Sequence, residues 1–247
     1  QHHRRCAMKT ADYELIPAGD LIQLGMIVLQ SDVTIEDEFR FYFADAKVSL
    51  LVNRIPFENE VTAETLAGMA HPLKQAAALF PLTHSFDAMG YACTSGAMQI
   101  GSARVSELIN SERPCDYVSN PMQAALLAFE QLGAKKIGYI GPYSKQVCRT
   151  MIDHIEAGGF TVSHAVSFDE EHDQYVGRIA PESIYDAAMA LVAEAGQSID
   201  AIFIACTNMK CASVLDKITA ESGVPALSSN KVLAWDLARS SGIPFSL

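Results

Sequence analysis

The chain has 247 residues, 49% of them hydrophobic, and a formal net charge of −11, so it can bury a large core but lacks the basic surface that nucleic acid requires. No apolar run approaches the roughly 18 residues needed to cross a bilayer, which argues against a membrane protein. Its six cysteines have no framework spacing, which indicates free thiols and a reducing, cytoplasmic location, while the absence of a basic stripe favours a small-molecule ligand.

The amino-terminal residues 1–20 are expected to form a mobile arm or an expression remnant, because 1–10 show no hydrophobic period. From there on, apolar runs and helical patterns alternate along the chain. The runs predict strands at 24–29, 48–53, 86–92, 118–120, 136–140, 160–166, 201–205 and 225–227. The helical patterns predict helices at 35–44, 63–80, 103–110, 122–132, 144–157, 181–194, 209–221 and 231–240. This alternation is typical of an α/β fold with parallel sheets.

Two places in this pattern depart from regular elements. Pro72 lies near the middle of the helix predicted at 63–80 and is expected to kink or split it. The acidic stretch 168–180 has no period and is either a lid or a solvated loop.

A ten-residue stretch occurs twice. Residues 86–95 read FDAMGYACTS and residues 199–208 read IDAIFIACTN, so that Cys93 and Cys206 occupy equivalent positions. A second pair of stretches, 24–32 and 137–145, has the same offset. Two matches at one offset indicate a duplicated fold. We therefore predict a first half at 21–120, a second half at 121–230, and a carboxyl-terminal helix within 231–247 that packs back on the first half.

A pseudo-two-fold axis between the halves would place Cys93 and Cys206 across one cleft, with sulfurs about 6 to 9 Å apart and no disulfide. Ligands of open parallel sheets bind beyond the carboxyl ends of the strands. Six candidate residues fall there: Asp32, Cys93, Asn120, Tyr143, Cys206 and Asn230. Backbone amides at the turns 94–97 and 207–209 favour a bound carboxylate, and the same helix dipoles favour thiolates at the two cysteines.

Simpler interpretations exist for single residues. A cysteine at a strand end is often a small buried apolar side chain, Asp32 is equally suited to cap the following helix, and Tyr143 is equally suited to pack at a rim. The duplicated context argues against the first interpretation for Cys93 and Cys206. The histidines lack metal-ligand spacing and no glycine-rich phosphate loop occurs, so we expect neither a metal nor a nucleotide cofactor.

These residues resemble the aspartate/glutamate racemase superfamily, whose members pair two Cys-Thr motifs across a pseudo-symmetric cleft. The stretches 24–40, 90–104, 205–208 and 228–230 are similar to the branch of maleate cis-trans isomerases, arylmalonate decarboxylases and the ectoine-utilisation protein A group. Residues 28–39 are most like the last group. The resemblance covers nearly the whole chain from about residue 21.

The resemblance implies that Cys93 is the nucleophile or base on one face of the substrate and Cys206 the acid or base on the other. Asp32 would accept a proton from a thiol, as the equivalent aspartate is thought to do in amino-acid racemases. Thr94, Ser95 and Tyr143 fall where decarboxylase relatives bind a carboxylate. The other substrate-binding candidates are Thr207, Asn208, Asn120 and Asn230.

Two departures from the branch affect the expected reaction. Its decarboxylases lack the first cysteine, and its maleate isomerases carry asparagine where Asp32 stands. We therefore expect a cofactor-independent isomerase or racemase that acts on a small carboxylate, in a monomer or a homo-oligomer. The alternatives are an ectoine or hydroxyectoine catabolic enzyme that works with a partner, an arylmalonate-type decarboxylase, and a non-catalytic ligand-binding protein.

Overall fold

A computed structural model describes residues 8–16, 19, 21–56 and 63–247. The strands are β1 (Ile22–Leu29), β2 (Val48–Ile55), β3 (Ala88–Ala92), β4 (Val118–Ser119), β5 (Lys136–Gly141), β6 (Thr161–Ser167), β7 (Ala201–Ile204) and β8 (Ala226–Ser228). The helices are α1 (Ile35–Tyr42), α2 (Ala63–Ala78), α3 (Thr94–Ile100), α4 (Ser102–Asn110), α5 (Pro121–Leu132), α6 (Lys145–Ala157), α7 (Asp173–Val176), α8 (Pro181–Ala195), α9 (Ala212–Ser222) and α10 (Ser229–Ser240).

The strands form two four-stranded parallel sheets with the same internal order, β2-β1-β3-β4 and β6-β5-β7-β8. The strands that precede the two cysteines, β3 and β7, each pair with the first strand of their half. Leu24 of β1 is paired with Ala88, and Ile137 of β5 is paired with Ala201. The predicted fold class, two α/β halves with parallel sheets, is confirmed. The duplicated sequence therefore encodes a duplicated sheet.

Helix α10 lies between the two sheets. Leu233 and Leu237 belong to a buried cluster with Leu24 of β1, whereas Trp235 belongs to a cluster built on the second sheet. Gly90 of β3 allows the approach, because a Cβ there would stand 3.3 Å from the Leu237 side chain. The last helix thus uses two of its faces as core, which explains why nine of its residues are buried.

Three elements differ from the sequence prediction. Helix α3 begins directly after Cys93, where no helix was predicted, because the cysteine sulfur accepts the Gly96 amide and caps the first turn. Helix α9 begins at Ala212 rather than at 209, because Asp32 and Thr34 bind residues 207 and 208 in a loop, while Glu38 accepts the Cys211 and Ala212 amides at the helix start. Helix α2 continues through Pro72, so of the two predicted effects of Pro72 the split is wrong, and the kink stays a prediction.

The peripheral segments can be described briefly. The stretch 168–180 contains the single-turn helix α7, and its role as a lid stays a prediction. Within the predicted arm, residues 8–16 are exposed and without regular structure, while 1–7, 17, 18 and 20 lie outside the described residues. No helix in the described part of the chain is both long and apolar enough to traverse a bilayer.

Candidate active site

Cys93 and Cys206 follow β3 and β7 at the carboxyl ends of the two sheets, and both are buried. Cys93 is extended, with φ −146°, and its Sγ accepts the Gly96 amide at 3.3 Å. Cys206 has φ +102°, a conformation that strongly favours glycine. Holding a non-glycine residue in this backbone conformation costs on the order of 1–3 kcal/mol of folding free energy, and such strain concentrates at functional sites.

The side chain of Tyr143 packs against the buried cluster that contains Cys206. Burial raises the pKa of Tyr143 well above its ordinary value, and the thiols of Cys206 and Cys93, together with Tyr139, raise it further. The phenol therefore stays protonated and can donate a hydrogen bond to Cys206 or to a ligand. Both cysteines are free thiols, so the structure brings together three predicted site residues without a disulfide.

The protonation state of the cysteines differs from the sequence prediction. Burial raises the pKa of both thiols above the ordinary 9.0, although the Gly96 amide acts against this at Cys93 and the Asn208 amide acts against it at Cys206. The carboxylate of Asp173 raises both values further. Desolvation and a nearby negative charge outweigh the helix dipole, so the expected thiolates are wrong for the ligand-free protein.

The loop that carries Cys206 is held by residues of the first half. The Thr207 hydroxyl donates to Asp32 Oδ2 at 2.7 Å, and the Thr34 hydroxyl donates to the Asn208 carbonyl at 2.9 Å. The Val33 amide donates to Asn208 Oδ1 at 3.0 Å. Contacts between the halves therefore support the strained conformation of Cys206.

Asp32 caps a helix, as its sequence position allowed, and also binds the loop of Cys206. Its Oδ1 accepts the amides of Thr34 and Ile35 at 2.9 Å each and so caps α1, while Oδ2 accepts the Thr207 hydroxyl next to Cys206. Burial raises the pKa of Asp32, and these hydrogen bonds act in the opposite direction. Its predicted role as a proton acceptor stays a prediction.

A second chain of hydrogen bonds joins the two cysteine turns. Thr94, next to Cys93, shares a 2.9 Å hydrogen bond with the Ser229 hydroxyl, which accepts the Cys206 amide at 3.0 Å. Ser229 was not among the predicted site residues. The repeated Ser-Asn pair at 119–120 and 229–230 was the sequence signal that could have identified it.

The two asparagines that were predicted to bind substrate both form hydrogen bonds with backbone groups. Asn120 caps α5 through the Gln123 amide and donates to the Ser102 hydroxyl, bonds that involve neither cysteine. The Asn230 amide donates to the Thr207 carbonyl at 2.8 Å and to Glu38 Oε2 at 2.9 Å. Asn230 thus lies one hydrogen bond from the Cys206 loop, and substrate binding by either asparagine stays a prediction.

In the first predicted anion-binding turn, some backbone amides already donate hydrogen bonds within the protein. At 94–97 the Gly96 and Ala97 amides donate to Cys93, whereas the Thr94 and Ser95 amides donate to nothing in the part of the chain that the structure describes. The Ser95 hydroxyl lies 3.9 Å from the Cys93 sulfur. Two amides and one hydroxyl therefore remain available for a carboxylate beside the first thiol.

Asp173, in α7, is a further site residue that the sequence did not predict. Its carbonyl and its Oδ2 accept the Asn208 amide at 2.9 and 3.0 Å. Gly177, directly after α7, allows close packing against Asn208, because a Cβ at this position would stand 2.9 Å from Asn208 Oδ1. Residues in a non-periodic stretch carry no sequence signal for such contacts. Among the described residues no cluster could hold a metal ion.

Comparison with known proteins agrees with this geometry. The sequence pattern of the arylmalonate decarboxylase family matches residues 87–246. The chain is 24% identical over 235 residues to maleate isomerase of Geobacillus stearothermophilus, covering 88% of this chain and 91% of that relative. Its fold is similar to maleate isomerase Iso of Pseudomonas putida S16, with a TM-score of 0.81, 21% identity and coverage of 91% and 94%.

A third similar structure is Nocardia farcinica maleate cis-trans isomerase, in a cysteine-to-serine mutant with a covalently bound succinylcysteine intermediate. It has a TM-score of 0.80 and 23% identity, and it covers 91% of this chain and 94% of that one. The fold and the paired cysteines define an enzyme of the Asp/Glu racemase-like superfamily. Within it, the chain belongs to the arylmalonate decarboxylase family.

Proposed function

We propose that this protein is a cofactor-independent cis-trans isomerase of a small unsaturated carboxylate and that Cys93 and Cys206 perform the reaction. One observation carries the proposal: the two free thiols follow equivalent strands, and hydrogen bonds from Thr94 to Ser229 and from the Cys206 amide to Ser229 join the turns that carry them. The succinylcysteine reported for the Nocardia farcinica enzyme supports a covalent route. The presence of Cys93 argues against arylmalonate-type decarboxylation.

The proposed reaction starts when Cys93 releases its proton to solvent, from which the sulfur takes a proton back once the C–S bond has broken, and the thiolate adds to one carbon of the double bond. The electron pair of that bond moves toward the carboxylate, where the Thr94 and Ser95 amides stabilise the enolate-like charge. The former double bond is now single and rotates. The pair then returns, the C–S bond breaks and the trans isomer leaves, while the Cys206 thiol lends and recovers a proton at the second carbon.

The experiment follows cis-to-trans conversion by proton NMR over a panel of unsaturated carboxylates with and without an amino group. Cys93→Ser should remove activity, because a serine hydroxyl is a far weaker nucleophile at this site. Cys206→Ser should accumulate a mass-shifted protein adduct. Cys115→Ser is the matched control, since its thiol donates to the Tyr117 carbonyl away from the site. Full activity in both site variants contradicts the proposal.

Racemisation of a saturated carboxylate is the second candidate. The Asp32 carboxylate favours it, because Asp32 reaches Cys206 through Thr207 and could receive a proton from that thiol. The two reactions differ in deuterated water. A racemase exchanges the α-proton of a saturated substrate, and Asp32→Asn should slow it strongly, whereas cis-trans isomerisation should tolerate the asparagine.

The finer assignments are also proposals. The likeness of residues 28–39 to the ectoine-utilisation group supports a role in ectoine catabolism beside a partner enzyme, which assays with ectoine-derived acids would test. The five free cysteines among the described residues support a reducing, cytoplasmic location. A homo-oligomer is testable by light scattering.

A further inference from the structure

Strand β2 is an edge of the first sheet, and its outer side is open. It pairs with β1 over its whole length without a register shift. The Ile22 amide of β1 donates to the Lys47 carbonyl at 3.0 Å, so the odd-numbered residues of β2 bond to β1 and the even-numbered ones point away from it. The backbone groups of Leu50, Val52 and Arg54 therefore face outward, and none of them has a hydrogen-bond partner among the described residues. Such a row of open peptide groups is a template for another strand.

The side chains along this edge are apolar on both faces of the sheet. Val48, Leu50 and Val52 pack against the buried cluster that includes α1, and Leu51 packs against the cluster that includes α2. All four are only partly buried, whereas residues 24–28 of the neighbouring β1 are buried. The open edge thus leaves part of the core-facing surface of β2 accessible.

The equivalent edge of the second sheet is built differently. Strand β6 reads TVSHAVS, alternates exposed and partly buried residues, and has a register shift against β5 between Lys136 and Gly138. Polar residues and bulges are devices that keep an edge strand from pairing. The remaining edges, β4 and β8, have only two and three residues. Among the described edge strands, β2 alone is long, regular and apolar.

The charge of this edge favours a second copy of the chain as its partner. The chain carries a formal net charge of −11, so two copies repel each other wherever their acidic surfaces meet. Strand β2 has one charged residue, Arg54, which is paired with Glu36 and donates to the Leu29 and Asp32 carbonyls. The edge is therefore locally neutral, and it offers no unpaired charge to a basic or an acidic partner.

The strand is also complementary to itself. A two-fold axis beside Leu51 sets Leu50 opposite Val52 of the second copy and Val48 opposite Arg54, so apolar groups meet and like charges do not. In this antiparallel register each copy donates three backbone hydrogen bonds, from Leu50, Val52 and Arg54. The Val48 amide is already used within its own chain.

We propose that the β2 edge is the interface of a homodimer, in which β2 pairs with its own copy about Leu51 and joins two four-stranded sheets into one continuous sheet. The inference does not depend on the proposed function. The pairing uses the one open side of β2 in each copy, so assembly closes at two copies.

Light scattering on the purified protein should give a mass near twice that of the 26.7 kDa chain. Val52→Pro removes an outward N–H and keeps the bonds to β1, a position at which an edge strand tolerates proline. Two backbone hydrogen bonds are lost across the interface, so dimerisation measured by sedimentation should weaken about tenfold to a hundredfold.

Ala165→Pro in β6 is the matched control. The Phe168 amide donates to the Gly141 carbonyl, so the exposed Ala165 points its N–H away from β5, as Val52 does from β1. This variant should remain a dimer. Far-UV circular dichroism of both variants checks that the fold is retained.

Cysteine variants test the register without a proline. Leu51 faces its own copy in a non-hydrogen-bonded pair, with Cα atoms about 4.5 Å apart, so Leu51→Cys should form a covalent dimer on mild oxidation. Ser49→Cys is its control, because residue 49 faces residue 53 and lies about 13 Å along the strands from its own copy. It should cross-link no more than wild type on a non-reducing gel.

Three results overturn the inference. The first is a monomeric wild type, which would leave the edge to a different protein. The second is a dimer that folded Val52→Pro does not weaken more than Ala165→Pro does. The third is equal cross-linking of Leu51→Cys and Ser49→Cys, a comparison that decides the matter even if Val52→Pro fails to fold.

Discussion

Cys93 and Cys206 show how burial alters the chemistry that local sequence suggests. Both follow a strand, and Cys93 directly precedes a helix, a position that ordinarily lowers a thiol pKa. In the folded protein both are nearly enclosed, and the Asp173 carboxylate adds a charge of the wrong sign for a thiolate. The ligand-free site therefore holds two neutral thiols, and ionisation must accompany substrate binding.

Alkylation kinetics test this protonation state. The rates of modification of Cys93 and Cys206 by iodoacetamide, resolved by mass spectrometry, should still be rising with pH beyond the ordinary thiol value of 9.0, so that each rate midpoint lies above that value. Cys115, whose pKa burial raises to about 11, provides an internal comparison. A rate midpoint below 9.0 for either site cysteine would show that the dipole outweighs burial after all.

The backbone of Cys206 predicts an unusual order of stability. Because φ is +102°, Cys206→Gly relieves strain and should be about 1 kcal/mol more stable to urea than Cys206→Ser, while both lose activity. The same pair of variants at Cys93, where φ is −146°, should show the opposite order, since glycine there only adds freedom to the unfolded chain. Equal stabilities at Cys206 would mean that the loop is unstrained.

At the scale of elements, α1 is the main support of the Cys206 loop. Asp32 caps α1 and binds Thr207, and Glu38 of the same helix accepts the Cys211 and Ala212 amides at 2.7 and 2.8 Å. Glu38 thereby satisfies the first amides of α9, which has no side-chain cap of its own. One helix of the first half thus sets the start of a helix in the second.

Substitution of Glu38 should show this dependence. Glu38→Ala leaves two buried amides and Asn230 without their acceptor, so it should lower the free energy of unfolding by about 3 kcal/mol. Glu38→Gln keeps one oxygen and should cost about 1 kcal/mol. Asp37→Ala, which removes an exposed ion pair with Arg40 from the same helix, should cost less than about 1 kcal/mol. Urea unfolding measures all three, and an Asp37→Ala effect as large as that of Glu38→Ala would contradict the assignment.

At the scale of the whole molecule, the halves are joined by α10 and by hydrogen bonds that cross the cleft. Thr94 bonds Ser229, Thr207 bonds Asp32, and Asn230 bonds Glu38. These contacts between the halves require two buried carboxylates, Asp32 and Glu38. Burial raises the pKa of both. Global stability should therefore depend on pH through these groups.

The sign follows from linkage. A raised native pKa means that the folded state binds the proton more tightly, so the stabilising contribution of Asp32 is complete below 3.8, its unfolded value, and declines as pH rises through the raised value. Asp32→Asn removes this decline while keeping an acceptor for the α1 amides. Urea titrations across this acidic range should show wild type losing stability relative to Asp32→Asn as pH increases. A relative gain would mean that the hydrogen bonds outweigh desolvation.

Much of the architecture was predictable because it depends on local periodicity and on repetition. The apolar runs gave all eight strands within a few residues of their observed bounds, and the repeated Ala-Cys-Thr stretch located both cysteines at equivalent strand ends. A duplication can be recognised in the sequence alone, and it predicts both the two similar sheets and the paired thiols. Helix α3 was missed because its capping group is a cysteine sulfur rather than a typical N-cap oxygen.

By itself, then, the sequence determined the fold class, the duplication, the identity of the two thiols and the presence of Asp32 near them. Each of these follows from the periodicity of apolar residues or from the repeated stretches. Only the tertiary structure decided that the thiols are neutral, that Cys206 is strained, that Glu38 and Ser229 support its loop, and that Asp173 accepts the Asn208 side-chain amide. These properties arise from burial and from contacts between residues far apart in the chain, such as Asp173 with Asn208 and Glu38 with Asn230. Desolvation and long-range hydrogen bonding have no periodicity, so they appear only when the chain is folded.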